Sequence, residues 1–294
     1  EEVAMDAALS ALKREAALHP ERPELCARLL ERATHVADAG TLLPLPPDLP
    51  SLAFICCSIK PTVEARFRAE VARAFADWPA IELIVLNDAR SLAEAYNRGA
   101  ATTRSDWIIF CHDDIRFLRT DFAARVAHAM QLFDVFGPAG AIRADGPAAL
   151  WGGPESGRAQ VSYPLPDGRI IATLSGIGPA HQSACLLDGL FIAARRTAWQ
   201  QQPFDAQRFD AFHLYDMDFS LGCHRAGLRV GIAQDLHLLH DSLGNFDERW
   251  SDYAERFVSK YNLVVDAPHQ NPTQAIALGR IDQIAPLFDA INAA

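Results

Sequence analysis

Apolar residues in this chain fall into short runs separated by stretches of helical spacing. Leu52–Cys57, Ile81–Leu86 and Trp107–Cys111 read as strands buried in a parallel sheet. Between the first two, Val63–Ala76 is amphipathic at helical spacing. Between the second and third, Ser91 with Glu94 forms an S-x-x-E capping box that opens another helix. The predicted order is β-α-β-α-β, half of a Rossmann-like α/β domain with a parallel sheet. No G-x-G-x-x-G follows the first strand, so a dinucleotide fingerprint is lacking.

Further along, Asp121–Phe133 reads as a helix and Val135–Ile142 as a strand. Residues 143–180 are rich in Gly and Pro, with short strands near Gln160–Tyr163 and Arg169–Leu174. So long and irregular a segment inside an α/β domain is usually a functional loop. Leu187–Ala194 is predicted as a strand, Asp216–Ala226 as a helix closed by Gly227, Arg229–Ala233 as a strand and Arg249–Tyr261 as an amphipathic helix. Ahead of all this, Ala4–Leu18 and Pro23–Ala39 predict a helical hairpin with Gly40 at its end. The pair resembles one unit of a helical repeat, and one unit cannot establish an array. The stretch TLLPLPPDLP holds four prolines in ten residues and reads as a semi-rigid linker. The expected division is a hairpin over 1–40, a linker over 41–50, an α/β domain over 51–262 and a helical tail over 263–294, with one or two short helices between Pro272 and Asn292.

Composition narrows the function. With 294 residues, half of them hydrophobic, the chain can bury one large core or two modest ones. A net charge of −10 with no basic stripe argues against nucleic acid as a partner. Cys26, Cys56, Cys57, Cys111, Cys185 and Cys223 show no C-x-x-C spacing, which suits reduced thiols in a cytoplasmic protein. No transmembrane run of 18 apolar residues and no signal peptide is visible. The chain begins at Glu1 rather than Met, as a fragment would.

Four segments beyond the strands carry polar residues that core packing does not require. They are Asn87-Asp88, His112-Asp113-Asp114, Tyr215-Asp216-Met217-Asp218, and the stretch from His237 through His240, Asp241 and Ser242 to Gly244. In open α/β sheets ligands bind beyond the carboxyl ends of the strands, and two acidic clusters on one such rim suggest a cation with phosphates. The wording YNRGAATTRSDWIIFCHDDI, DGLFIAARR and YDMDFSLGCHRAGLRV, in this order, resembles the family 2 glycosyltransferases with the GT-A fold. Within that family it is most similar to the streptomycin-biosynthesis-type branch. The resemblance covers about Leu52 to Tyr261 and leaves out the hairpin.

The resemblance implies a role for each segment. Ser58, Ile59, Lys60 and Pro61 occupy the first nucleotide-contacting loop, with Asp88 at the base and Tyr96 and Asn97 facing base and ribose. His112-Asp113-Asp114 takes the place of the D-x-D motif. His112 stands where the first Asp is usual, so His112 and Asp113 fall to the nucleotide and Asp114 to the metal. Asp188-Gly189 resembles the loop below donor sugar and acceptor, with Trp151 and Tyr215 as further sugar contacts. Asp216 matches the catalytic base of an E-D pair in which Tyr215 replaces Glu, and His240 matches a downstream metal-binding His. The implied donor is a nucleotide-sugar, a UDP-sugar first; the acceptor is not readable.

Elementary chemistry is consistent with these roles. A leaving nucleoside diphosphate develops negative charge that a divalent cation stabilises, and a carboxylate–imidazole pair suits Mn²⁺ better than Mg²⁺. Asp216 at a helix start can take the proton of an attacking hydroxyl, and one base without a second catalytic carboxylate suits inversion. Asp218 points elsewhere on the helix and reads as structural. Each polar residue also has a plainer reading. Asp113 and Asp114 can cap a turn, Asp216 and Asp218 can stabilise a helix start, His240 can be a satisfied histidine, and Trp151 can pack under a loop. Two other functions are compatible with the chain: a non-catalytic sugar-nucleotide-binding or scaffold module, and a nucleotidyltransferase. The latter usually has a Gly-rich basic first loop, whereas Ser58–Thr62 has no glycine and one lysine.

Overall fold

The computed structural model describes residues 6–37, 42–242, 248–268 and 273–294. Gly40, Gly244 and Pro272 lie outside the described residues. The strands are β1 (Leu52–Cys57), β2 (Ile81–Leu86), β3 (Trp107–Cys111), β4 (Ile115–Phe117), β5 (Val135–Gly137), β6 (Gly140–Ala141), β7 (Gly157–Arg158), β8 (Val161–Pro164), β9 (Ile170–Ser175), β10 (His181–Ser183), β11 (Leu186–Leu187), β12 (Phe191–Arg195), β13 (Val230–Ala233), β14 (Leu238–His240) and β15 (Thr273–Leu278). The helices are α1 (Ala7–Leu18), α2 (Pro23–Val36), α3 (Pro61–Ala74), α4 (Leu92–Thr102), α5 (Phe122–Leu132), α6 (Arg196–Gln201), α7 (Tyr215–Arg225), α8 (Glu248–Tyr261) and α9 (Ile284–Ala293).

The main sheet has the order β10-β13-β5-β12-β3-β1-β2. β1 is parallel to β2 and β3, and β13 is parallel to β5, while β12 runs antiparallel to both β3 and β5. Apart from β12 and β10, all its strands therefore point one way. Side chains alternate across the sheet as the pleat requires: Leu52, Phe54 and Cys56 face α3 and α5, whereas Ile55 faces α4, α7 and α8. β2 reads as a buried strand in the sequence. It is instead the half-exposed edge strand, and that is why it tolerates Glu82.

Local chemistry explains the helix next to the site. Ser91 Oγ accepts from the Glu94 N–H at 3.2 Å, and this starts α4. Glu94 does not complete the capping box, because its carboxylate pairs with Arg98 one turn on at 2.9 Å. Gly99 lies where α4 meets β1; a Cβ there would come within 2.6 Å of Ile55 Cγ2.

Two segments that read as single strands are split, and both splits carry the chain between sheets. Val135–Ile142 becomes β5 in the main sheet and β6 in a small sheet ordered β11-β6-β7. Pro138 stands between them, where it has no N–H to continue a ladder. Leu187–Ala194 becomes β11 and β12, separated by Asp188-Gly189-Leu190. A third sheet, β15-β9-β8-β14-β4, lies beside the rim.

The C-terminal tail departs from expectation. Thr273–Leu278 is not helical but pairs antiparallel with β9 along its whole length, and only α9 is a helix of the predicted kind. The edge of β9 offers unpaired backbone groups, and pairing there outweighs the helical preference of Gln and Ala. The hairpin α1–α2 packs on this third sheet: Leu9, Leu25, Leu29 and Leu30 share a core with Ile170, Leu174, Ile284 and Phe288. Beneath them runs a buried ionic network. Arg119 pairs with Asp121 at 2.7 Å and with Asp289 of α9, and Arg125 pairs with Asp235 at 2.9 Å. His237 is fully buried against this network, and burial lowers its pKa to about 4, so it is a neutral core histidine. No described helix is long and apolar enough to cross a membrane.

Leu29 is fully buried in the core that joins hairpin to sheet. Leu29→Ala is expected to lower the stability of the whole chain by about 2–5 kcal/mol. A denaturant midpoint left unchanged would show that the hairpin does not unfold with the rest.

Candidate active site

The site forms where β3 ends and the chain changes sheet. His112-Asp113-Asp114 joins β3 of the main sheet to β4 of the third sheet. Two antiparallel pairings bring distant residues to it. In the first, Phe191 opposes Cys111, so the entry of β12, with Asp188-Gly189 just before it, arrives at the carboxyl edge of β3. In the second, His240 opposes Ile115 and the Asp241 N–H donates to the Asp114 carbonyl at 2.9 Å. Arg66 and Arg116 hold the Asp241 carboxylate at 2.5 and 2.8 Å and so fix this corner.

Three polar atoms converge on His240 Nε2: Asp114 Oδ1 at 3.2 Å, His112 Nδ1 at 3.2 Å and Ser242 Oγ at 3.3 Å. Ligand atoms of His112, Asp114 and His240 all lie within 4.8 Å of one another. Two imidazole nitrogens and a carboxylate oxygen are a fitting donor set for a first-row divalent cation. Burial would raise the pKa of Asp114, yet hydrogen bonds and charge from His240, with Ser242, hold it well below the usual carboxylate range. For His240, burial works against the charge, and Asp114 outweighs it, so its pKa is raised. Burial, and then His240 beside it, lower the pKa of His112.

The second half of the site is the start of α7. Leu214, just before it, adopts a left-handed backbone (φ 59°), an uncommon conformation for a branched residue that turns Tyr215 and Asp216 toward the rim. Asp216 Oδ2 accepts from the Gly189 N–H at 2.8 Å, and Oδ1 accepts from its own Met217 N–H at 2.9 Å. Burial, followed by the neighbouring negative charge of Asp188, pushes the Asp216 carboxyl up to about 7, against the pull of these N–H donors. The Tyr215 hydroxyl stands 3.2 Å from His112 Nε2 and 3.5 Å from the Gly189 carbonyl. Gly189 is needed at this junction: a Cβ would lie 2.2 Å from the Tyr215 hydroxyl and 3.0 Å from Asp216 Oδ2.

His112, Asp114, Asp188, Gly189, Tyr215, Asp216 and His240 are thus brought together. Asp113 is half-buried on the same turn. The other expected residues are distributed differently. Ile59, Lys60 and Pro61 are exposed where β1 passes into α3, and Ser58 is buried beneath them. Asp88 is exposed on β2's edge and paired with Arg98 at 2.9 Å. Tyr96 and Asn97 require correction as nucleotide contacts. Tyr96 is fully buried, donates to the Cys111 carbonyl at 3.1 Å and packs edge-on against Tyr215 at 5.7 Å, so it supports the rim from below. Asn97 spends its amide on the Phe204 carbonyl, the Phe204 N–H and the Trp199 indole, tying α4 to α6 and the segment after it. Trp151 donates to the Asp266 carbonyl at 2.8 Å and stacks on Trp250 at 6.4 Å, which matches its plainer reading as a loop-packing residue. Asp218 is buried and pairs with Lys260 at 2.7 Å, a structural role as expected.

Sequence reasoning missed Tyr163 and the part played by Ser242. Tyr163, on β8, is half-buried with its ring 6.2 Å from that of His240, and burial followed by Asp188 pushes its hydroxyl up to about 12. A lone Tyr in a short strand of an irregular segment carries no signal of its own. Only the parallel pairing of β8 with β14 places it there.

A sequence model described as a glycosyltransferase-like family matches residues 53–261. Among solved structures, GalNAc-T7 with UDP, GalNAc and Mn²⁺ aligns with a TM-score of 0.51 at 8% identity, over 78% of this chain and 53% of that one. The mannosyltransferase PcManGT from Pyrobaculum calidifontis, in complex with GDP-Man and Mn²⁺, aligns with a TM-score of 0.45 at 13% identity, over 97% of this chain and 81% of that one. No curated protein matches the sequence.

The proximity of Asp188 to Asp216 has a measurable consequence. The carboxyl ¹³C resonance of Asp216 is expected to titrate near 7. Asp188→Asn removes a like charge and should lower that midpoint. A midpoint in the ordinary aspartate range in the wild type would contradict the packing described for this carboxyl.

Proposed function

The chain belongs to the glycosyltransferase-like family, and from that membership we propose that it is a metal-dependent inverting glycosyltransferase moving a hexose from a nucleotide-diphosphate donor to a hydroxyl acceptor. The fold is GT-A, a mostly parallel sheet flanked by helices. We take a UDP-sugar as the first donor to test, and place the chain near the streptomycin-biosynthesis-type branch on the wording DGLFIAARR and YDMDFSLGCHRAGLRV. Residues 51–262 form the transferase unit in this reading, with the hairpin and the tail packed on it.

One observation carries the proposal. A carboxyl raised to about 7 stands on the same rim as a two-histidine, one-carboxylate cluster, linked to it through Gly189 and Tyr215. A general base works best when its pKa lies near the operating pH. As the acceptor oxygen bonds to the anomeric carbon and the sugar–phosphate bond breaks, Asp216 takes the hydroxyl proton. The Gly189 and Met217 N–H groups keep the carboxylate aimed while it does so. Asp114 and His240 would hold the cation, and a cation there supplies the positive charge that stabilises the leaving diphosphate. The imidazole donor favours Mn²⁺ over Mg²⁺. Ser58–Pro61, Asp88 and Asp113 remain the residues through which the nucleotide would lie across the rim.

Two experiments test this. Asp216→Asn keeps size and one of the two accepted backbone hydrogen bonds but removes proton-accepting power. Transfer should fall by about two to four orders of magnitude with donor binding little changed. In the wild type the base must be ionised, so the rate should climb with pH through about 7 and then level off, and the variant's residual rate should lose that rise. Near wild-type transfer by Asp216→Asn would remove the residue from the mechanism. Asp114→Ala should abolish the effect of Mn²⁺ on donor affinity, measured calorimetrically; an undiminished metal effect would refute the assignment of Asp114.

A further inference from the structure

Buried arginines of this chain are met by carboxylates: Arg119 pairs with Asp121 and Asp289, and Arg125 with Asp235. Arg158 on β7 departs from that rule. It is 7% exposed, and no described carboxylate pairs with it. Nη1 donates to the carbonyls of Pro154 and Gly157 at 2.9 and 2.8 Å. Nε is buried without a hydrogen-bond partner, and Nη2 makes no hydrogen bond to a described residue. Burial, and then the positive charge of Arg143, lower the pKa of Arg158, and no acid opposes them. A guanidinium stays protonated in a protein, and a buried charge without a counter-charge is costly.

The backbone around this guanidinium is shaped to admit it. A Cβ on Gly176 would lie 2.5 Å from Nη1, and one on Gly178 would lie 2.9 Å from Nε. Gly176 also has a left-handed backbone (φ 66°), which glycine adopts freely. Reciprocal backbone bonds between Ala159 and Ser175, at 3.1 and 2.9 Å, hold β7 against that turn. Arg158 lines a cavity of about 230 Å³ between the α1–α2 hairpin and the irregular segment, with Ala16, Cys26, Pro154, Glu155 and Gly176 on its other walls. None of these residues belongs to the rim. Glu155 is the one carboxylate of the lining; it is exposed, and its nearest cation is Arg143 at 3.8 Å.

We propose that this cavity binds a compact oxyanion, a carboxylate or phosphate group of a small molecule, through Arg158. With Nη1 committed to carbonyls, Nε and Nη2 remain, and the N–H fork of a guanidinium matches the paired oxygens of either group. One arginine beside Glu155 suits a single negative charge better than a polyanion. The hairpin then does more than pack on the third sheet: Ala16 and Cys26 wall a site that the α/β domain alone would leave open. The proposal depends on neither the cation cluster nor the transfer reaction.

The experiment follows the thermal midpoint of the full chain, with chelator present, as chloride is replaced at fixed ionic strength by inorganic phosphate or by acetate. An anion that binds only the folded state raises the midpoint along a saturating curve. At least one of the two should do so, and the one that does identifies the oxyanion. Arg158→Gln removes the charge and keeps a polar donor; it should weaken the binding by about 10- to 100-fold. Glu155→Gln removes the negative charge on the wall and should tighten it. His240→Ala removes a cationic group from the rim and should leave it unchanged. A midpoint that rises without saturating for both anions reflects their exclusion from the protein surface and overturns the proposal, as does no rise at all. Loss of binding in His240→Ala would put the anion on the rim, and wild-type affinity in Arg158→Gln would remove Arg158 from the site; either result refutes it. Should Arg158→Gln not fold, Glu155→Gln decides, and an affinity no tighter than that of the wild type overturns the site.

Discussion

The rim depends on one constraint: the three residues His112-Asp113-Asp114 must leave one sheet and enter another within a single turn. β3 is paired on both sides in the main sheet, and β4 is held by β14 in the third sheet, so neither end of the turn can move. Each partner brings its own polar residues. The antiparallel entry of β12 delivers Asp188-Gly189, and the antiparallel exit of β14 delivers His240. If both partners ran parallel, these residues would sit at the opposite edge.

The electrostatics follow from that crowding. Carboxylates and imidazoles half-removed from water are costly unless paired, and this rim sorts them into two groups. Asp114 is held low by His240 and Ser242 and stays ionised, whereas Asp216, buried and beside Asp188, is pushed up toward neutrality. Two aspartates on one rim therefore have opposite tendencies, one suited to holding a cation and the other to accepting a proton. The shared framework of Tyr215 and Gly189 keeps them in one geometry.

Below the rim, polar residues serve the scaffold. Tyr96 and Asn97 are informative because their segment is among those most similar to the family in wording, yet both side chains turn inward to brace β3 and the Phe204 segment. The ionic network of Arg119, Asp121, Arg125, Asp235 and Asp289 links α5 to α9 and so ties the tail to the main body. Breaking one member would leave uncompensated buried charge, the reason such networks resist piecemeal change.

The β-α-β-α-β order, the helix that begins at the Tyr215-Asp216 pair and the clustering of His112, Asp114, Asp216 and His240 among polar residues beyond the strands were legible without the fold. These are local properties, written in apolar periodicity, capping and the clustering of polar residues after strands. The sequence alone could not reveal that Val135–Ile142 and Leu187–Ala194 each serve two sheets, that Thr273–Leu278 completes a sheet, or that Tyr163 faces His240. Nor could it place His112 between His240 and Tyr215, residues more than 100 positions away. Strand direction and cross-strand register decide those contacts. Register is a property of pairs of segments, set by backbone hydrogen bonding across the whole sheet, and it leaves little trace in either segment alone.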